Sequence, residues 1–162
     1  MTTDTPPRHS TTTVVLLHLA HAVDHLFLLI FATTVSSMAP DFGFTQWQDL
    51  MPFGVGAFIL FGLGSIPAGR LGDLWGRRQM MIVFFLGMGV SALAVSLTQS
   101  AWQLALALTL MGAFASIYHP VGIPMLLQTA TRPGLAVGLN GLSGNMGVAV
   151  AAALTGFLVQ AA

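Results

Sequence analysis

No cysteine and no lysine occur anywhere in the 162 residues. Without thiols there are no disulfides and no thiolate metal ligands, and the redox compartment is left open. Charge of either sign is scarce: five arginines, five acids, 6% charged residues in all and a formal net charge of zero. A soluble domain carries about 25% charged residues, so water would not keep this surface dispersed. With no basic patch to neutralise phosphates, nucleic acid is excluded as a partner. What is abundant is apolar surface, since hydrophobic residues make up 55% of the chain. The composition is that of a membrane protein whose first partner is the lipid bilayer.

The few charges punctuate the chain. A bilayer core of about 30 Å takes about 20 residues of helix, and Val14 to Met38 supplies a first span with His18, His21, Asp24 and His25 inside it. Its apolar region is too long, and too rich in ionisable groups, for a cleaved signal peptide. Pro40 to Asp49 reads as a loop and Leu50 to Ala68 as a second span. No Asp, Lys, Glu or Arg falls between Arg78 and Arg132, a run that as one helix would reach roughly 80 Å. The polar patch Thr98-Gln99-Ser100 lets it fold back as two spans, Met80 to Leu97 and Trp102 to Leu127. Thr131-Arg132-Pro133-Gly134 is the next turn, and Leu135 to Val159 is a fifth span. The expected organisation is a tail over residues 1–13 and a five-helix transmembrane domain over residues 14–162.

Arg8, the cluster Arg70, Arg77 and Arg78, and Arg132 all fall on one side of such a chain, whereas the opposite loops carry only Asp41 and Asp49. By the positive-inside rule the arginine side is cytoplasmic. The protein is therefore expected to be a multi-pass cell (inner) membrane protein with its N-terminus in the cytoplasm.

The segment GRLGDLWGRR, Gly69 to Arg78, gathers three of the five arginines. It reads as a tight cytoplasmic loop, with Asp73 capping the following helix and Arg77 and Arg78 pairing with Asp73 or anionic headgroups. Gly69, Asp73, Gly76, Arg77 and Arg78 resemble the motif between the second and third helices of the major facilitator superfamily of transporters; Leu74 stands where that family usually has a basic residue. The resemblance implies an all-α membrane fold like the N-terminal half of that superfamily, whose complete members have twelve helices in two halves. It also implies that the motif latches this half against the other in one state of an alternating-access cycle. The segments YHPVGIPML and GLNGLSGNMGVAVAAALTG look most like transporters of the fosmidomycin-resistance type. The Gly-Pro motif of many drug–proton antiporters is not matched, because Gly147 is followed by Val148.

His18, His21 and His25 share one face of the first helix, with Asp24 on its flank. Ionisable groups inside a membrane face a cavity or a partner because lipid exposure costs a few kcal/mol at least. Asp24 and His21 are the candidate proton or substrate site, while His18, nearer the cytoplasmic end, is read as a hydrogen-bonding residue. No metal is expected, since ligands along one straight helix point along a line; a shared ion would need another helix to complete its shell, and His119 is the one other histidine within the spans. In the fourth span Pro120 and Pro124 free the carbonyls of Ser116 and Pro120 and bend the helix, next to Tyr118 and His119. That kink suits either packing or a cavity, and the superfamily's use of its first and fourth helices to line the path favours the cavity. In the fifth span the glycines at 138, 141, 144 and 147 form a slanting packing groove, with Asn140 and Asn145 as candidates to face the path.

The candidate pathway is thus His21, Asp24, His25, Tyr118, His119, Asn140 and Asn145, with no cofactor. The absence of an ATP-binding loop, a nucleophile–base pair or a dinucleotide fingerprint argues against an enzyme. The expected function is proton-coupled movement of a small organic solute, completed by a second copy or by a missing C-terminal half. The alternative is a membrane interaction protein without transport, or an inactive truncated product. A lone chain is expected to be inactive, with Asp24, His21, His119 and Asn140 turned towards lipid.

Overall fold

A computed structural model describes residues 10–161. Arg8 and most of the expected tail lie outside the described residues. The first helix, α1, runs Thr11–Met38, three residues earlier than hydropathy alone suggests. The cause is a local cap: Ser10 Oγ accepts the Thr13 N–H at 3.2 Å, satisfying one of the amides that a helix start leaves free. A short 3-10 turn, Ala39–Phe42, ends at Gly43 with φ 79°.

The segment expected as a loop is only partly one. Helix returns at α2, Trp47–Leu50, and continues through the 3-10 turn Met51–Gly54 into α3, Val55–Leu63, and α4, Ser65–Trp75. Trp47–Leu63 and Ser65–Trp75 meet at a 45° bend at Gly64, and together they are long and apolar enough for one broken span. The second span therefore reaches Trp75 rather than Ala68, and the motif expected as a loop is helical from Gly69 to Trp75. The chain breaks only at Gly76, whose φ of 104° is a conformation that residues with a Cβ rarely adopt. The third span, α5, begins at once and covers Arg77–Ser96, and its N-terminus has no side-chain cap. Asp73 is thus not a cap.

The fourth span is α6, Ala101–Ala115, followed by α7, Tyr118–Leu127. The break at Ser116 and Ile117 sits where Pro120 offers no N–H to the Ser116 carbonyl, and Ser116 Oγ turns back to the Ala113 carbonyl at 2.7 Å. Pro133–Ala161 forms α8, the fifth span. Four helices are long and apolar enough to cross a membrane outright, and the bent pair makes a fifth when counted as one span. The described residues hold helices and turns with no strand.

Small residues decide how the helices meet. A Cβ on Gly112 in α6 would run into the Ala57 backbone of α3, and one on Gly147 in α8 would run into the Ala22 carbonyl of α1. These are close backbone approaches of the kind small residues permit between membrane helices. Gly69 and Gly72 seat α4 against Pro120 and Val121 of α7. Large apolar side chains such as Leu86, Leu93, Leu106 and Phe157 point outward, as a bilayer-facing surface requires.

Candidate functional site

The buried side of α1 is the row Leu17, Ala20, His21, Asp24, Leu28, Phe31 and Val35. Its spacing of three and four places polar and apolar residues on one stripe. On α8 the corresponding row is Asn140, Gly144, Gly147, Ala151 and Thr155. The two rows face each other, and Gly144 leaves the space in which the His21 and His25 rings sit: a Cβ there would lie 2.8 Å from His21 Nε2 and 3.0 Å from His25 Cδ2. The break before α7 delivers Tyr118 and His119 to the same place.

The resulting cluster is connected. His21 Nδ1–H donates to the Asn140 carbonyl at 2.7 Å. With Nδ1 protonated, the neutral His21 ring offers Nε2 as an acceptor, and His25 Nε2–H lies 3.1 Å from it. The Asn140 amide donates to the Tyr118 hydroxyl at 2.6 Å, which donates in turn to the Leu17 carbonyl at 2.9 Å. Tyr118 stacks on His21 with ring centres 4.9 Å apart. His119 meets His21, His25 and Phe61 edge-on at 5.1, 5.8 and 5.5 Å.

Asp24 is the exception to this good pairing. Its side chain is fully buried, and neither carboxyl oxygen has a hydrogen-bond partner among the described residues. His119 Nδ1 stands 3.6 Å from Asp24 Oδ2. An unpaired buried polar group costs about 1–3 kcal/mol, and a charged one more.

Six of the seven expected pathway residues thus converge: His21, Asp24, His25, Tyr118, His119 and Asn140. Asn145 does not. It lies on the exposed side of α8, because five residues rotate a helix by about 140° from Asn140. Gly138 and Gly141 likewise face open space, so only Gly144 and Gly147 of the four glycines pack. Nor do the polar groups turn to lipid: His21, Asp24 and Asn140 are buried within the bundle itself. The geometric objection to a shared metal also falls away, since His119 on a second helix joins His21 and His25. Phe61 and the Leu17 carbonyl belong to the cluster without any sequence signal pointing to them.

In the Gly69–Arg78 motif, Asp73 and Arg77 form an ion pair at 3.3 Å, four residues apart across Gly76. Asp73 is largely exposed, so the pair is a surface contact of modest strength. His18 lies apart from the cluster, lining with Thr129, Thr131 and Arg132 a cavity of about 300 Å³.

The sequence that folds into this bundle matches the family model of the Major Facilitator Superfamily over residues 17–162. The chain belongs to the Major Facilitator Superfamily. It is thus a multi-pass membrane protein of a transporter family rather than an enzyme. Among major facilitator relatives it is 30% identical over 107 residues to the tetracenomycin C resistance and export protein of Streptomyces glaucescens, covering 65% of this chain and 20% of that protein. It is 28% identical over 109 residues to a probable actinorhodin transporter of Streptomyces coelicolor, covering 66% and 19%. It is 30% identical over 105 residues to the puromycin resistance protein pur8 of Streptomyces alboniger, covering 63% and 21%. The match spans about a fifth of each relative's length. These relatives lend no support to the fosmidomycin-type subgroup. No solved structure matches the chain.

Proposed function

We propose that this chain forms the first part of an exporter that moves a small organic solute out of the cell, coupled to protons. The observation that carries this reading is the fully buried Asp24 carboxyl, unpaired beside His119 at the centre of membrane-spanning helices. Intramembrane carboxyls are costly and are placed on ion or substrate paths. The relatives' printed roles in antibiotic export and resistance support an outward direction and an organic solute. His21, His25, Tyr118, His119 and Asn140 line the path with Asp24. A second copy, or a C-terminal half, supplies its other wall, and the Gly69–Arg78 motif acts at that boundary.

Cells making the chain together with the second copy or C-terminal half that completes its path should accumulate less puromycin than cells without it, and a protonophore should abolish the difference. Asp24→Asn should remove the effect at equal membrane abundance. Equal accumulation with and without the chain would count against transport, and protonophore-insensitive export would count against protons as the coupling ion. The N-terminus is assigned to the cytoplasm on the arginine distribution. A single cysteine at Gln46 should react with an impermeant maleimide added outside intact cells, and one at Thr131 should not; the reverse pattern inverts the topology.

A further inference from the structure

We propose that His21, His25 and His119 form a binding site for a divalent transition metal such as zinc. One ring nitrogen from each of the three lies within 4.8 Å of the others. His21 Nε2 and His25 Nε2 are 3.1 Å apart. Two nitrogens bound to one tetrahedral zinc at 2.0–2.1 Å stand about 3.3 Å apart, so this pair needs little movement to accept an ion. The proton on His25 Nε2 shifts to Nδ1, which turns both facing nitrogens into donors of lone pairs without loss of a proton.

The surroundings hold one of the rings as metal-binding histidines are usually held, and set a second beside a carboxylate without a hydrogen bond between them. A ligating histidine donates its other N–H to a carbonyl or carboxylate, which fixes the ring and leaves the remaining nitrogen for the metal. His21 Nδ1 is bonded to the Asn140 carbonyl at 2.7 Å, and His119 Nδ1 faces the Asp24 carboxyl at 3.6 Å. Asp24 thereby acquires a role its missing hydrogen bonds leave open: it positions His119 and offsets part of the ion's charge. The ligands come from two spans, α1 and α7, with the Gly144 gap beside them. The His119 side chain is 37% exposed, and three histidines leave a tetrahedral ion one further position for water or a donor atom of a solute. Three imidazoles with an open position suit zinc, cobalt, nickel or copper rather than calcium or magnesium, which prefer oxygen.

The test needs no transport. The full chain, purified in detergent without a histidine tag and stripped with a chelator, is titrated with Co²⁺ and followed by its visible absorption. One ion per chain with the intense bands of a four-coordinate site is expected, and Zn²⁺ should bleach them. His25→Ala and His119→Ala should each abolish stoichiometric binding, and His119→Gln should do so as well with the ring volume partly kept. Asp24→Asn should weaken binding about 10–100-fold, as loss of an orienting partner does, while His18→Ala should leave it unchanged. Circular dichroism of each variant establishes that it is folded. Absence of one-to-one Co²⁺ binding in the folded chain overturns the proposal, and so does binding that survives His119→Ala or disappears with His18→Ala.

Discussion

In two seams of this bundle, α1 against α8 and α3 against α6, a glycine lets one helix backbone reach the other. Gly147 abuts the Ala22 carbonyl and Gly112 abuts the Ala57 carbonyl. The seams differ in what the close approach brings together. Across α1 and α8 it aligns His21 with the Asn140 carbonyl and, through Tyr118, ties three helices with hydrogen bonds. Across α3 and α6 the polar group at the contact is Thr109, beside Gly56, and its hydroxyl turns back to its own helix at the Ala105 carbonyl. Close packing is thus common to both seams, and polar bonds between helices are what set the α1–α8 seam apart. The α3–α6 seam serves as an internal control for the α1–α8 seam.

Overfilling either seam should have the largest effect. Gly147→Leu and Gly112→Leu each force a side chain into a neighbouring backbone, and overpacking costs about 1–3 kcal/mol or more. Both variants should melt well below the parent chain in detergent, as followed by circular dichroism. A seam that accepted leucine without loss would not be closed by its glycine.

Removing the polar contacts should separate the seams by a smaller margin. Tyr118→Phe deletes the bond to the Leu17 carbonyl and the acceptor for Asn140, and interhelical hydrogen bonds of this kind are worth about 0.6–1.7 kcal/mol. Thr109→Val deletes a bond within one helix and should stay within about 0.5 kcal/mol of the parent. Equal losses in chemical denaturation would erase the distinction drawn between the seams.

The five spans were legible in the sequence because lipid imposes a length and a composition on each. Their ends were less so. The Ser10 cap and the continuation of helix through Gly69–Trp75 rest on local hydrogen bonding that hydropathy does not register. The histidines and Asp24 of the first helix were readable as one polar group of side chains, since a charged group in lipid is conspicuous in any sequence. Their meeting with His119 was not, because it depends on the break at Ser116 and on the rotation of α7. Asn145 stays outside the cluster for a reason present in the sequence all along, as one straight helix cannot turn both Asn140 and Asn145 to the same side.

The His21–Asn140 bond joins residues 119 positions apart, and this distance has a consequence during synthesis. A ribosome adding about 5–20 residues per second needs roughly 6–24 s to make the intervening chain. Over that interval α1 is complete while Asn140 does not yet exist, and Tyr118, its other tether, emerges only shortly before. The nascent first helix therefore waits with His21 and Asp24 unshielded, and the insertion machinery or headgroup water must shelter them until the fifth helix arrives.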